Sequence, residues 1–208
     1  MSKKKIRNYQ IFSIIFTFIF GSLLHFTYAL SGNNPVVAIF LSINESVWEH
    51  LKLLFSPMLL TITIGCFYIG KEVPNFLCSK TIGILVSMAF MVIFFYTYTG
   101  ILGRNIPAID ITSFFIATIL GEFVSYVLIV NKFKCNNVIA ITTLIIIFIC
   151  FIIFTYFTPN IEIFKDPITG QYGFFKLKLN NENFKVVEFD HFKNEADVLK
   201  VALFDKFT

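Results

Sequence analysis

Five long apolar segments dominate the sequence and restrict the chain to the class of integral membrane proteins. They cover approximately residues 9–30, 51–69, 82–102, 109–130 and 138–157. A helix needs about 20 mostly apolar residues to cross a bilayer core roughly 30 Å thick. Of the 208 residues, 56% are apolar and 14% are charged, whereas soluble domains carry about 25% charged residues. The sequence therefore predicts an all-α transmembrane bundle of five spanning helices, within a first domain of residues 1–158.

Residues 159–208 form a second predicted domain, a small C-terminal tail. Asp166-Pro167 and Thr169-Gly170 are typical of turns, and the partial alternation in residues 174–179 and 184–189 indicates a possible β-hairpin. Asn194 is a suitable N-cap for a final short amphipathic helix. A tail of about 50 residues is marginal as an independent domain, so we expect it to rest on the membrane face or on a partner.

The distribution of lysine and arginine over the short loops predicts the orientation. If the N-terminus is cytoplasmic, the inner side holds Lys3, Lys4, Lys5, Arg7, Lys71, Lys80, Lys132 and Lys134, and the outer short loops hold Lys52 and Arg104. Cytoplasmic loops are enriched in basic residues. The sequence therefore predicts a multi-pass plasma-membrane protein with a cytoplasmic N-terminus and an extracytoplasmic C-terminus. A cleaved signal peptide is the alternative interpretation of the first segment, although its apolar run is long for one.

The sequence gives few indications of other binding partners or of cofactors. No basic run is interleaved with aromatic residues, so nucleic-acid binding is not expected. The cysteines, Cys66, Cys78, Cys135 and Cys150, form no CxxC pair and have no histidine nearby. We therefore expect four free thiols in the membrane or the cytoplasm. No motif specifies a cofactor. The polar residues suggest one possible cofactor, a divalent metal ion.

Ionisable side chains collect at the predicted outer ends of the helices. They are His25, Glu45, Glu49, His50, Arg104 and Asp110. Imidazole and carboxylate groups together suit a divalent metal ion, and the predicted metal ligands are His25, Glu45, Glu49 and His50. Structural roles compete with this interpretation. Ser42 and Glu45 fit a capping box, Glu49 could pair with Lys52, and Trp48 could belong to an interfacial aromatic belt.

Glu122 is an exception because it lies near the middle of the fourth apolar segment. A charged residue there costs roughly 2.5–3.5 kcal/mol on insertion scales. Glu122 should therefore face the bundle interior. It could be a protonated structural group, hydrogen-bonded to Ser125, Tyr126 or a facing helix, or it could handle a proton or an ion.

Two motifs carry a resemblance to a known family. They are NESVWEHLKL at residues 44–53, preceded by GNNP at 32–35 and followed by Pro57, and FKDPITGQYG at residues 164–173. Over about residues 9–173 the chain resembles a family of small multi-pass membrane proteins of unknown function from low-GC bacteria. The resemblance implies that the chain extends past the usual end of such proteins, and it supplies no reaction. The motif positions that it carries over are Asn44, Glu45, Trp48, Glu49, His50, Lys52, Asp166, Pro167, Gly170, Tyr172 and Gly173.

Three functional hypotheses follow from these observations. The leading one is the handling of a small ion or solute through an outward-facing polar pocket, with Glu122 as its floor and Trp48 and Tyr172 at its mouth. The pocket rim would consist of His25, Glu45, Glu49, His50 and Asp110. The second is an intramembrane metal-dependent hydrolase, with Glu45 or Glu49 as the general base. The third is a structural protein that docks a partner through its tail.

Overall fold

The computed structural model confirms a bundle of five helices that are long and apolar enough to cross a membrane. It describes residues 1–31 and 34–173. The helices are α1 (Lys3–Leu30), α2 (Val47–Gly65), α3 (Phe76–Leu102), α4 (Pro107–Val130) and α5 (Asn137–Tyr156). The described residues contain no β-strand, only an isolated bridge between Lys165 and Tyr172. The predicted β-hairpin and final helix of the tail lie outside the described residues.

The helices alternate in direction, so the bundle has two polar ends of different composition. One end, which we call the basic end, contains the start of α1 and the loops of residues 71–75 and 131–136. The other, which we call the site end, contains the end of α1, residues 34–46, the loop of residues 103–106 and the described part of the segment after α5. Between them, apolar side chains such as Leu54, Met58, Ile84 and Ala117 form the core. The outer faces are apolar as well, with Leu23, Ile93 and Phe123 among the exposed side chains, as is expected of a lipid-facing surface.

The closest helix packing is between α3 and α4, where small residues face each other. A Cβ atom added to Gly83 would lie 2.5 Å from the backbone oxygen of Gly121, and one added to Gly121 would lie 2.5 Å from that of Gly83. Ser87 Oγ donates to the Ala117 carbonyl at 2.8 Å, and Ser125 Oγ donates to the Ser79 carbonyl at 3.1 Å. Small residues and serine hydroxyls of this kind allow transmembrane helices to approach closely.

The start of α2 corrects one detail of the sequence analysis. Ser46, rather than Ser42, is the N-cap, and its hydroxyl accepts a hydrogen bond from the Glu49 backbone N–H at 3.3 Å. Asn44 Oδ1 in turn accepts from the Ser46 backbone N–H at 2.9 Å. The predicted capping box of Ser42 and Glu45 is therefore wrong. Glu45, which is two residues before the first residue of α2, therefore has no capping role.

The segment after α5 folds back over the site end. Asp166 Oδ1 accepts from the backbone N–H groups of Ile168 and Thr169, at 2.8 and 3.2 Å. Gly173 has a φ of 61°, and a Cβ atom there would lie 2.0 Å from Thr158 Oγ1. Glycine therefore suits this position on both counts. On the exposed edge of the segment, the hydrogen bond from Lys165 to Glu162 raises the pKa of the Lys165 ammonium.

The cysteines differ from the expectation of four free thiols. Cys66 and Cys150 are free, but Cys78 and Cys135 form a disulfide with a Cα–Cα distance of 6.2 Å. The prediction was wrong for this pair because the two residues are 57 positions apart and only the folding of the bundle brings them together. The disulfide lies at the basic end, between the first turn of α3 and the loop that precedes α5.

Candidate metal centre

Three of the predicted metal ligands, His25, Glu45 and His50, meet at the site end. His25 lies near the end of α1, Glu45 in the loop before α2 and His50 in the first turn of α2. The Glu45 carboxylate lies between the imidazoles: Oε1 is 3.5 Å from His25 Nε2, and Oε2 is 3.5 Å from His50 Nε2. One ligand atom from each residue fits within 4.8 Å of the other two. The three side chains are partly buried, between 21% and 27% exposed.

A backbone hydrogen bond fixes how His50 presents its ring. Its Nδ1 lies 3.0 Å from the Ser46 carbonyl oxygen. Because a carbonyl oxygen can only accept, Nδ1 carries the hydrogen. In the neutral ring the lone pair is then on Nε2, which faces Glu45 Oε2. Two acceptors in this position repel each other unless a cation lies between them, either a proton on Nε2 or a metal ion.

The spacing of these atoms suits a metal ion. Ligand atoms about 2.0 Å from a tetrahedral zinc ion lie about 3.3 Å from each other, close to the two distances of 3.5 Å. Two imidazoles and one carboxylate also form a donor set found in catalytic zinc sites, which leave the fourth position to water or substrate. The three residues could therefore hold a divalent transition-metal ion if their ligand atoms, which lie within 4.8 Å of one another, moved closer together around it.

Asp110, in the first turn of α4, lies beside this cluster. It is near enough to His50 and Glu45 to interact with both electrostatically. The Tyr98 hydroxyl donates a short hydrogen bond to Asp110 Oδ1, and the Ile106 backbone N–H donates to the Tyr98 hydroxyl at 3.3 Å. Tyr98 therefore fixes the position of a second carboxylate at the edge of the candidate metal centre. Sequence reasoning named Asp110 but gave Tyr98 no specific role.

The fourth predicted ligand, Glu49, lies apart from the cluster. Its carboxylate is 2.6 Å from the Lys52 ammonium, and both side chains are buried, at 3% and 1% exposure. Glu49 Oε2 accepts from the Ile43 backbone N–H at 3.1 Å. Lys52 also donates to the Ala38 carbonyl at 2.9 Å and to Thr155 Oγ1 at 2.8 Å. Glu49 and Lys52 thus join α2 to the preceding segment and to α5.

Trp48 and Tyr172, predicted at the mouth of a pocket, lie in different elements: Trp48 is in the first turn of α2, and Tyr172 is in the folded-back segment after α5. The Trp48 ring packs against Phe151, Phe154 and Phe164, with centroid distances of 4.8, 5.5 and 4.9 Å. Tyr172 pairs with Lys165 in the isolated β-bridge. The structure therefore gives Trp48 a packing role, two residues before His50 in the sequence.

Glu122, the predicted pocket floor, is paired with a residue that the sequence analysis assigned to a loop. Its carboxylate oxygens lie 2.5 Å from the Lys80 ammonium, and both side chains are fully buried. Lys80 also donates to Gln10 Oε1 at 3.2 Å and to Ser13 Oγ at 3.3 Å. Lys80 was misplaced because α3 begins at Phe76, six residues before the predicted start. In the sequence, the only indication of this pairing was a lysine about one turn from the start of an apolar helix.

The comparison with protein families covers most of the chain. Residues 1–174 match the model of DUF6512, which is described as a family of unknown function. The chain belongs to DUF6512. The match ends one residue after Gly173, so nearly all of the tail beyond the folded-back segment lies outside the DUF6512 match. Neither the curated proteins nor the solved structures contain a significant match to this DUF6512 member.

Proposed function

We propose that this DUF6512 protein is a membrane protein that binds a divalent transition-metal ion, zinc being the simplest candidate, at an outward-facing site formed by His25, Glu45 and His50. One observation carries the proposal: a carboxylate lies 3.5 Å from an imidazole nitrogen on each side, at the separation that a shared metal ion requires. The favoured function is the handling of the ion at the outer surface, by capture or sensing.

The distribution of charge supports an outward-facing site. Lys52 and Lys80 occupy buried ion pairs inside helices, so neither belongs in the count of loop charges. Of the eight lysine and arginine residues counted on the inner side, seven remain at the basic end once Lys80 is removed. Of the two counted on the outer side, only Arg104 remains in the short loops of the site end once Lys52 is removed. Under the positive-inside rule, the basic end faces the cytoplasm and the candidate metal centre faces outward in the plasma membrane.

Passage of an ion or solute through the bundle has less support than capture at its surface. The proposed pocket required Glu122 as an available acid at its floor. Instead, Lys80 neutralises Glu122, and neither side chain is exposed. The partner-docking hypothesis depends on residues 174–208, which lie outside the described residues.

A metal-dependent hydrolase is the second candidate function, and Asp110 is the observation that favours it. Glu45 is placed as a ligand and Glu49 is paired with Lys52, so neither is available as a general base. Asp110 lies beside the ligands and is held by Tyr98 through one oxygen, which leaves a second carboxylate oxygen that could accept a proton from metal-bound water. Zinc-loaded protein should then cleave a fluorogenic acyl ester that partitions into the micelle, and Asp110→Asn should abolish this turnover. Turnover no faster than with free zinc would dismiss the hydrolase.

Metal analysis of the full-length protein, purified in detergent and equilibrated with buffered free zinc, tests the main proposal. Wild type should retain about one zinc ion per chain, as expected for a single three-ligand site. Glu45→Gln and His50→Gln should weaken binding by roughly 100-fold or more, because even outer-shell changes cost about 10- to 100-fold. Glu72→Gln, a matched change at the basic end, should bind like wild type. Equal zinc binding by Glu45→Gln and wild type would refute the site.

A further inference from the structure

The Cys78–Cys135 disulfide occupies an unexpected place. Cys78 lies in the first turn of α3, and Cys135 lies in the loop before α5. Both belong to the basic end, which the distribution of lysine and arginine places in the cytoplasm. The cytoplasm keeps most thiols reduced, and disulfides that form there are usually transient, in catalysis or redox sensing. A permanent structural disulfide would therefore be out of place at this end.

We infer that Cys78 and Cys135 form a reversible dithiol–disulfide pair that responds to the redox state of the cytoplasm. The inference rests on the proposed sidedness of the bundle, but it does not depend on the metal site at the opposite end. The pair would act as a removable covalent link between α3 and the loop that leads into α5.

The two cysteines have different surroundings, which suits the two steps of thiol–disulfide exchange. Cys135 is partly exposed, and the exposed Lys132 and Lys134 precede it closely in the loop. Neighbouring cationic side chains favour the thiolate, which is the reactive form. Cys78, by contrast, is only 7% exposed. Cys135 is therefore the thiol that meets a small molecule first, and Cys78 is the resolving thiol.

The reaction balances with a low-molecular-weight disulfide as the oxidant. The Cys135 thiolate attacks one sulfur of the oxidant, which forms a mixed disulfide and releases one small thiolate. The Cys78 thiolate then attacks the Cys135 sulfur and releases the second small thiolate, which leaves the Cys78–Cys135 bond. The protein loses two protons and two electrons, and the oxidant becomes two thiols. Reduction by excess small thiol follows the same steps in reverse.

The link would add to a small set of hydrogen bonds that hold the same elements together. Asn137 Nδ2 donates to the Pro74 carbonyl at 3.1 Å, and Asn75 Nδ2 donates to the Leu128 carbonyl at 3.0 Å. These bonds connect the α2–α3 loop with the end of α4 and the start of α5. They can remain when the disulfide is reduced, so the reduced bundle should stay folded while the Cys135 loop gains freedom.

Thiol trapping in growing cells tests this inference. The protein would carry Cys66→Ser and Cys150→Ser, so that only the pair can react, and a polyethylene-glycol maleimide would be added after rapid acid quenching. We expect two additions in untreated cells, none after treatment with diamide, and two again after its removal. A variant that also carries Cys135→Ser should show one addition under all three conditions, because the buried Cys78 does not meet the small oxidant. A variant that carries Cys78→Ser instead should show one addition before and after treatment and none during it, because Cys135 then stays in the mixed disulfide. A pair that is fully oxidised in untreated cells, or that diamide never oxidises, would overturn the inference.

A second measurement separates this inference from the proposed sidedness. In the Cys78→Ser version, a membrane-impermeant maleimide should label Cys135 only after the cells are permeabilised. Labelling of intact cells would place the basic end outside, and both the orientation and the redox inference would fail. Labelling that requires permeabilisation, together with no response to diamide, would overturn the redox inference and leave the outward-facing metal site standing.

Discussion

The neighbouring residues Glu49 and His50 direct their side chains into two different polar groups at the start of α2. Glu49 is 2.6 Å from Lys52 in a buried ion pair, whereas His50 Nε2 is 3.5 Å from Glu45 in the candidate metal centre. Successive helical residues are separated by about 100° of rotation, so one helical turn supplies both groups. Stability and metal binding should therefore be separable by mutation.

Glu49→Gln should destabilise the protein and leave metal binding intact. Removing one partner of a buried ion pair costs about 3–5 kcal/mol, because the other charge stays buried without compensation. Denaturant unfolding in detergent, with zinc content measured on the same sample, checks both parts. Glu72→Gln serves as the control, since the exposed Glu72 carboxylate lies 3.6 Å or more from its partners. Loss of zinc at unchanged stability would show that Glu49 is a ligand.

The Lys80–Glu122 pair should behave as a coupled unit in a double-mutant cycle. Lys80→Met leaves Glu122 buried without its cation and should cost about 3–5 kcal/mol. Adding Glu122→Leu removes that buried charge, and the double variant should recover at least half of the lost stability. Unfolding free energies of the two single variants and the double variant give the coupling directly. Additive effects would mean that the two side chains do not interact.

The crossing of α3 and α4 should tolerate no side chain at Gly83. Ala at this position would place a Cβ atom 2.1 Å from Ser125 Oγ and 2.5 Å from the Gly121 backbone oxygen, and such overpacking costs about 1–3 kcal/mol. Gly100, in the same helix, is a matched control, because a Cβ atom there meets nothing within 4 Å. Gly100→Ala should stabilise α3 by about 0.5–1 kcal/mol. Similar thermal midpoints for the two variants would contradict the close crossing.

The sequence was sufficient to predict the five helices, because a long apolar segment has few folded alternatives. The meeting of His25, Glu45 and His50 was also within reach, since each lies at the same predicted end of its segment. The pairing of Glu49 with Lys52 was one of the alternatives that the sequence left open, whereas the pairing of Glu122 with Lys80 was not predicted. Which face of a helix meets which neighbour depends on packing between helices, and a loop boundary displaced by six residues concealed Lys80. The Cys78–Cys135 contact could not be predicted either, because only the packing of the helices brings these two residues together.

X-ray absorption spectroscopy of the zinc-loaded, full-length protein tests the central claim most directly, because it reports the ligands of the bound ion. For wild type we expect two imidazole nitrogens and carboxylate or water oxygens at about 2.0–2.2 Å. The imidazole signal should fall to one in His25→Gln and in His50→Gln, and should remain at two in Glu49→Gln. A wild-type spectrum without imidazole scattering, or one with sulfur at about 2.3 Å, would contradict the metal site proposed here.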